Sequence, residues 1–170
     1  MKSIINGLFM ATVILVSVKG NAQTEKDEFY DIRVKKVLDA EEIEYTITKN
    51  NNFKIVVTTE EEPTVRNHTV FIMSKTQNYS DFEIREISSP GLKIKRSAIS
   101  DSMMYDLLLQ SGNIKMGSWE LKEYEGEDYS FFTFTIKIGV NIENKHLTSL
   151  IFLVASEADR VEKLYGNKYD

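Results

Sequence analysis

The chain has 170 residues, 42% apolar and 11% aromatic, with 21 basic and 26 acidic residues and a formal net charge of −5. That balance excludes a disordered composition, and its acidity argues against nucleic acid or an anionic membrane surface, where a basic footprint supplies most of the affinity. The lack of cysteine removes disulfides, thiolate metal sites, iron–sulfur clusters, cysteine nucleophiles and the lipid anchor of bacterial lipoproteins together.

Residues 1–22 read as a signal peptide. Lys2 gives a short positive start, Ile4 to Val18 is mostly apolar, and Gly20-Asn21-Ala22 sets small residues before a cut at Gln23. This is the order of an export signal, and the apolar run is shorter than the about 20 residues a spanning helix needs. The sequence predicts a bacterial protein exported to the periplasm or the exterior. Residues 23–170 should form a single soluble domain with no membrane span. Lys2 and Lys19 leave with the signal, so the 21 basic residues become 19 and the net charge becomes −7.

Thr24 and Asp27 form a weak capping box before Tyr30, Val34, Val37 and Leu38, whose spacing predicts a helix over about 25–40. Ile43, Tyr45 and Ile47 alternate as a strand, Asn50-Asn51-Asn52 makes a turn, and Phe53 to Thr59 completes a hairpin. Glu60-Glu61-Glu62-Pro63 breaks the chain. His68 to Thr76 is the next strand, followed after the turn at 78–81 by Phe82, Ile84, Glu86 and Ile87, with Pro90-Gly91 as punctuation. Ser100 caps a second helix whose face carries Met103, Met104, Leu107 and Leu108, and Gly112 is expected to stop it. Trp119, Leu121 and Tyr124 mark a strand, with Gly126 in the following turn. Phe132, Phe134, Ile136 and Ile138 alternate with Thr133, Thr135 and Lys137 in a strand with one apolar and one polar face. Leu147, Leu150, Ile151, Val154, Ala158, Val161 and Tyr165 keep helical spacing up to Gly166. Helix, four strands, helix, two strands, helix with short connections predicts an α+β fold: a central antiparallel sheet with helices packed mainly on one face.

Catalytic signatures do not appear. His68 and His146 are the only histidines, both expected on the surface; no HExxH, GxSxG, Walker A or GxGxxG sequence is present, and nothing supports a Ser–His–carboxylate triad. Glu60, Glu61 and Glu62, with Asp81 and Glu83 across the sheet, lack the ligand spacing of an EF-hand and read as a solvated loop, as do Glu123, Glu125, Glu127 and Asp128 around Gly126. Asn67-His68-Thr69 and Asn78-Tyr79-Ser80 match the glycosylation sequon, which carries no weight in a bacterial setting. Met103, Met104 and Met116 lie near Leu107-Leu108-Leu109 and Trp119. Three consecutive leucines cannot share one helix face, so part of this run should be exposed.

Leu107-Leu108 on a helix that ends near Gly112-Asn113 is followed by Met116-Gly117-Ser118-Trp119-Glu120-Leu121, a small residue before an aromatic-led strand. The alternating strand Phe132 to Ile138 comes next, then Leu147-Thr148 opening a helix that carries Ala158-Asp159 and ends near Tyr165. In this stretch the chain resembles the YbjN-like family, labelled as bacterial sensory transduction regulators and similar in fold to type III secretion chaperones. The resemblance implies an α+β domain, often dimeric, without enzymatic role. It supplies no catalytic residues to carry over, and the export signal departs from its usually cytoplasmic members. The expected function is an exported, non-enzymatic, protein-binding or chaperone-like regulatory domain. Its partner would be another protein or a second copy of the chain, with Leu109, Met116 and Trp119 as contact residues. No cofactor, metal site or catalytic residue is expected. The alternative is a small-ligand binder of the cell envelope with an aromatic pocket between sheet and helices, lined by Trp119, Tyr129, Phe132 and Phe134.

Overall fold

A computed structural model describes residues 29–61 and 64–166, without the side chains of residues 60, 61 and 64. The signal segment, the capping box at Thr24 and Asp27, and Glu62-Pro63 of the acidic run lie outside the described residues.

Helix α1 (Ile32–Ala40) is started by Asp31, whose carboxylate accepts the Arg33 backbone N–H at 2.9 Å. Its inward face is Val34 and Leu38, both fully buried, with Tyr30 and Val37 packed beside them as the spacing requires. Strand β1 keeps only Thr46–Ile47; Ile43 and Tyr45 turn into the core instead, and the rings of Tyr30 and Tyr45 meet Phe53 edge-on at 5.6 and 5.3 Å. After the turn at Asn51, which takes a left-handed φ of 61°, β2 (Phe53–Glu61) pairs with β3 (Thr64–Ile72) from Phe53↔Ile72 to Glu61↔Thr64. β3 thus begins four residues before His68, and His68 falls mid-strand.

A short β4 (Gln77–Tyr79), not expected from the sequence, turns tightly at Ser80 into β5 (Phe82–Lys95). Pro90-Gly91 does not end β5. The strand runs through them with a register shift between Pro90 and Leu92, a bulge being the place where a strand tolerates a missing N–H. Gly91 is there because space is absent: a Cβ would lie 2.8 Å from the Trp119 ring and 3.1 Å from Ala158 Cα.

Ser100 caps α2 (Asp101–Asn113) by accepting the Met103 N–H. Gly112 lies inside this helix rather than ending it. β6 (Ser118–Glu123) and β7 (Tyr129–Gly139) form the last hairpin, and α3 (Asn144–Tyr165) ends at Gly166. Every strand pair is antiparallel, and the order is β1-β2-β3-β5-β7-β6, with β4 paired to β5 alone.

All three described helices lie on one face of this sheet, which is the expected α+β architecture. The larger core joins Phe53, Val70, Ile87, Phe134 and Ile136 to α1 and to Leu147, Ile151 and Val154 of α3. A second cluster joins Leu92, Ile94 and Phe132 to Met103 and Leu107 of α2 and Val161 of α3, and Trp119 touches both. Each such side chain contributes roughly 1.5–3 kcal/mol by leaving water. The opposite face is polar but not freely solvated. Ser88, Thr133 and Thr135 are buried there, because Lys122 reaches across β7 to Glu86 at 2.9 Å while also holding Glu120 at 3.2 Å. Thr135 donates to the same Glu120 at 3.2 Å.

Candidate functional site

β6 closes one end of the sheet, and among the described residues its outer edge has no partner strand. Helix α2 packs beside it: Ser111 Oγ accepts the Trp119 backbone N–H at 2.8 Å and donates to the Leu107 carbonyl at 2.9 Å. Met103 and Leu107 use the inward stripe of α2. Met104 and Tyr105 remain outside with Leu108 and Leu109, which are 73% and 50% exposed. Positions 104/108 and 105/109 are four apart, so these side chains stack as two apolar rows along one flank. Leu121, on the helix-bearing face of β6, is 41% exposed. An unpaired strand edge therefore runs alongside an apolar helix flank. Single exposed apolar residues are ordinary, but a grouped set marks an interaction surface.

Of the three residues expected to touch a partner, Leu109 lies on this flank. Met116, 44% exposed, lies elsewhere, bordering a shallow cavity with Phe82, Ile138 and Val140. Trp119 is half-buried, its ring 5.4 Å from that of Phe134, and it bridges the two core clusters. Tyr105 and Leu121 join the surface without having been singled out from the sequence, and Met104 and Leu108, expected on the face of Met103 and Leu107, are exposed on it instead, because positions 104 and 108 lie one residue round the helix from the buried stripe at 103 and 107. The run Leu107-Leu108-Leu109 was the signal that could have found Leu108.

The aromatic pocket does not assemble. Phe132 and Phe134 fill the core, while Tyr129 sits an odd number of positions away on β7 and so points to the opposite face. There Lys93 Nζ lies 4.5 Å above its ring.

His146 is exposed, but His68 is not a surface residue: it is 2% exposed, because it points inward from the middle of β3. Its Nε2 lies 3.1 Å from Asp159 Oδ1 of α3, and its Nδ1 lies 3.7 Å from Glu162. Thr59 donates to the same Asp159 oxygen at 3.3 Å, Arg66 reaches it at 3.5 Å, and Lys163 holds the other oxygen at 2.6 Å. Burial works to raise the Asp159 pKa, but the hydrogen bonds and charges of Lys163 and His68 outweigh it and hold the carboxyl below its ordinary value. The hydroxyl here bonds the carboxylate, not the imidazole, so the order nucleophile–base–acid of a triad is absent. The cluster fastens α3 to β2 and β3.

A second charged cluster ties α1 to β5. Arg33 spans Asp31 at 2.6 Å and Glu83 at 2.7 Å, Thr76 donates to Glu83 at 2.6 Å, and Asp31 also accepts from Arg85 Nη2. Hydrogen bonds from Arg33, then Thr76, draw the Glu83 carboxyl down to about 2. Burial lowers the Arg85 pKa, against the opposing charge of Asp31.

No family model and no curated protein matches this sequence. Among solved structures, the chain is similar in fold to YbjN. That protein is a candidate transcription regulator from E. coli; the two are 8% identical, the match covers 75% of this chain and 84% of that one, and the TM-score is 0.48. At that identity and TM-score no residue role passes across the match.

Proposed function

We propose that this chain is a non-enzymatic, chaperone-like protein-binding domain that works outside the cytoplasm after loss of residues 1–22. The outer edge of β6 beyond Trp119, whose own N–H is taken by Ser111, receives an extended segment of a partner protein, and the flank of α2 receives its apolar side chains. The observation that carries this reading is the coincidence of an unpaired strand edge with exposed Met104, Tyr105, Leu108, Leu109 and Leu121. Glu120, Lys122 and Glu123 along the edge protect it from indiscriminate pairing. They also set the segment's chemistry: alternating apolar residues toward α2, charges of both signs on the other face.

The test is a selection from displayed twelve-residue peptides against the purified protein, repeated with Leu109→Asp and Leu121→Asp. Both positions are exposed, so both variants should keep the wild-type Tm. Extended, alternating binders whose affinity falls about tenfold or more in both variants support the reading. Binders that ignore both substitutions overturn it. So does a self-associated protein that becomes monomeric in the variants, because the surface would then belong to a second copy.

A further inference from the structure

Arg85 sits on the helix-bearing face of the sheet. It lies two positions before the core residue Ile87 on β5 and opposite the buried Ile138 on β7. Its side chain is 4% exposed and gives Nη2 to Asp31 at the start of α1. That is its one hydrogen bond among the described residues, and the buried Nε has no acceptor. A guanidinium carries five N–H donors, so most of the capacity of this one is unused. A buried donor left unpaired costs free energy comparable to a lost hydrogen bond, which an arriving acceptor relieves.

A cavity of about 220 Å³ opens beside Arg85, between α1, the end of β7 and the start of α3. Its wall is aliphatic, with Val34 and Val37 from α1 facing Ile138 and Leu147. The other two polar members of the wall are Arg33 and the exposed Asn141. Arg33 is already spent on Asp31 at 2.6 Å and Glu83 at 2.7 Å. The volume is below the about 300–1,000 Å³ of drug-sized ligand sites. At about 30 Å³ for each water-sized group, it holds a guest of about seven non-hydrogen atoms.

We propose that this cavity binds a small, uncharged aliphatic molecule with a carbonyl oxygen, which accepts from the Arg85 guanidinium while the carbon body fills the space between α1 and α3. The charge of the guest follows from its neighbours. Arg33 and Arg85 are already matched by Asp31 and Glu83, so a carboxylate would enter an apolar space with no cation of its own. A neutral carbonyl meets the unused donors without that cost. Neither α2 nor β6 contributes to the wall, so this site stands or falls independently of the peptide-binding surface.

Replacing Arg85 would strand Asp31, so the test fills the cavity instead. The purified protein is titrated with isovaleramide and, separately, with isovalerate, followed by amide chemical shifts. The expected result is saturable shifts centred on residues 34–37, 85, 138–142 and 147 with isovaleramide, and affinity at least about tenfold lower for isovalerate. Val37→Phe, which sends a ring into the cavity from a half-buried position on α1, should abolish the shifts and keep cooperative thermal unfolding. Ile142→Phe fills the same space from the opposite wall and replaces it if the first variant does not fold. Leu109→Asp should bind as wild type does. No saturable shift with isovaleramide overturns the proposal. Undiminished binding by a folded cavity-filling variant does so too, as does tighter binding of isovalerate.

Discussion

Asp159 gathers His68, Thr59, Arg66 and Lys163 around one carboxylate, so its charge state should be readable in stability. Its folded pKa lies below the ordinary 3.8. The stabilisation is therefore complete above about pH 4 and is lost as pH falls through the folded value. Asp159→Asn should cost about 2 kcal/mol in urea denaturation at pH 7, with the gap to wild type closing as the medium is acidified. Glu83 offers a second check. Its ¹³C carboxyl titration should have its midpoint near 2, moving toward 4.5 in Arg33→Met, since Arg33 is the main cause of the shift. Neither cluster was visible in the sequence. His68 and Asp159 stand 91 positions apart, and periodicity says which way a side chain points only once the strand's start is right. With β3 taken to begin at His68, its imidazole read as a rim residue; with four more residues paired on β2, it is interior.

The elements that announced themselves are those whose apolar residues repeat without interruption. α3 buries Leu147, Leu150, Ile151, Val154, Ala158 and Val161 as its spacing requires, and Phe132 to Ile138 fill one face of β7. Elements defined by punctuation were misread. Pro90-Gly91 looked like a stop and is a bulge within a strand of 14 residues, while Gly112 looked like a helix end and lies inside α2. The two glycines should answer substitution in opposite directions. Gly91→Ala drives a methyl against the Trp119 ring and the backbone of Ala158, and should cost about 1–3 kcal/mol. Gly112→Ala meets nothing within 4 Å in a helix, and should stabilise by about 0.4–1 kcal/mol by narrowing the unfolded ensemble. Paired thermal unfolding curves of the two variants decide both. The α2 flank was half legible, since three adjacent leucines require that some be exposed, but which of them depends on where α3 and β6 sit.

For the molecule as a whole, the segregation of all described helices to one face makes α3 the principal cover of the sheet. It touches β2, β3, β5 and β7, and it is the last of the described helices. A chain cut after Val140 should retain strand content by circular dichroism but bind a hydrophobic dye and unfold without a cooperative transition, because Phe134, Ile87 and Val70 lose their lid. During synthesis, when the ribosome has delivered everything up to β7, α1 and α2 can already cover parts of the sheet's apolar side, but the stretch that α3 covers is still bare. The contacts that would close it join residues near 70 to residues near 155, so loop entropy delays them until α3 emerges. The packing of the sheet under α3 is thus completed only once this last described helix has been made.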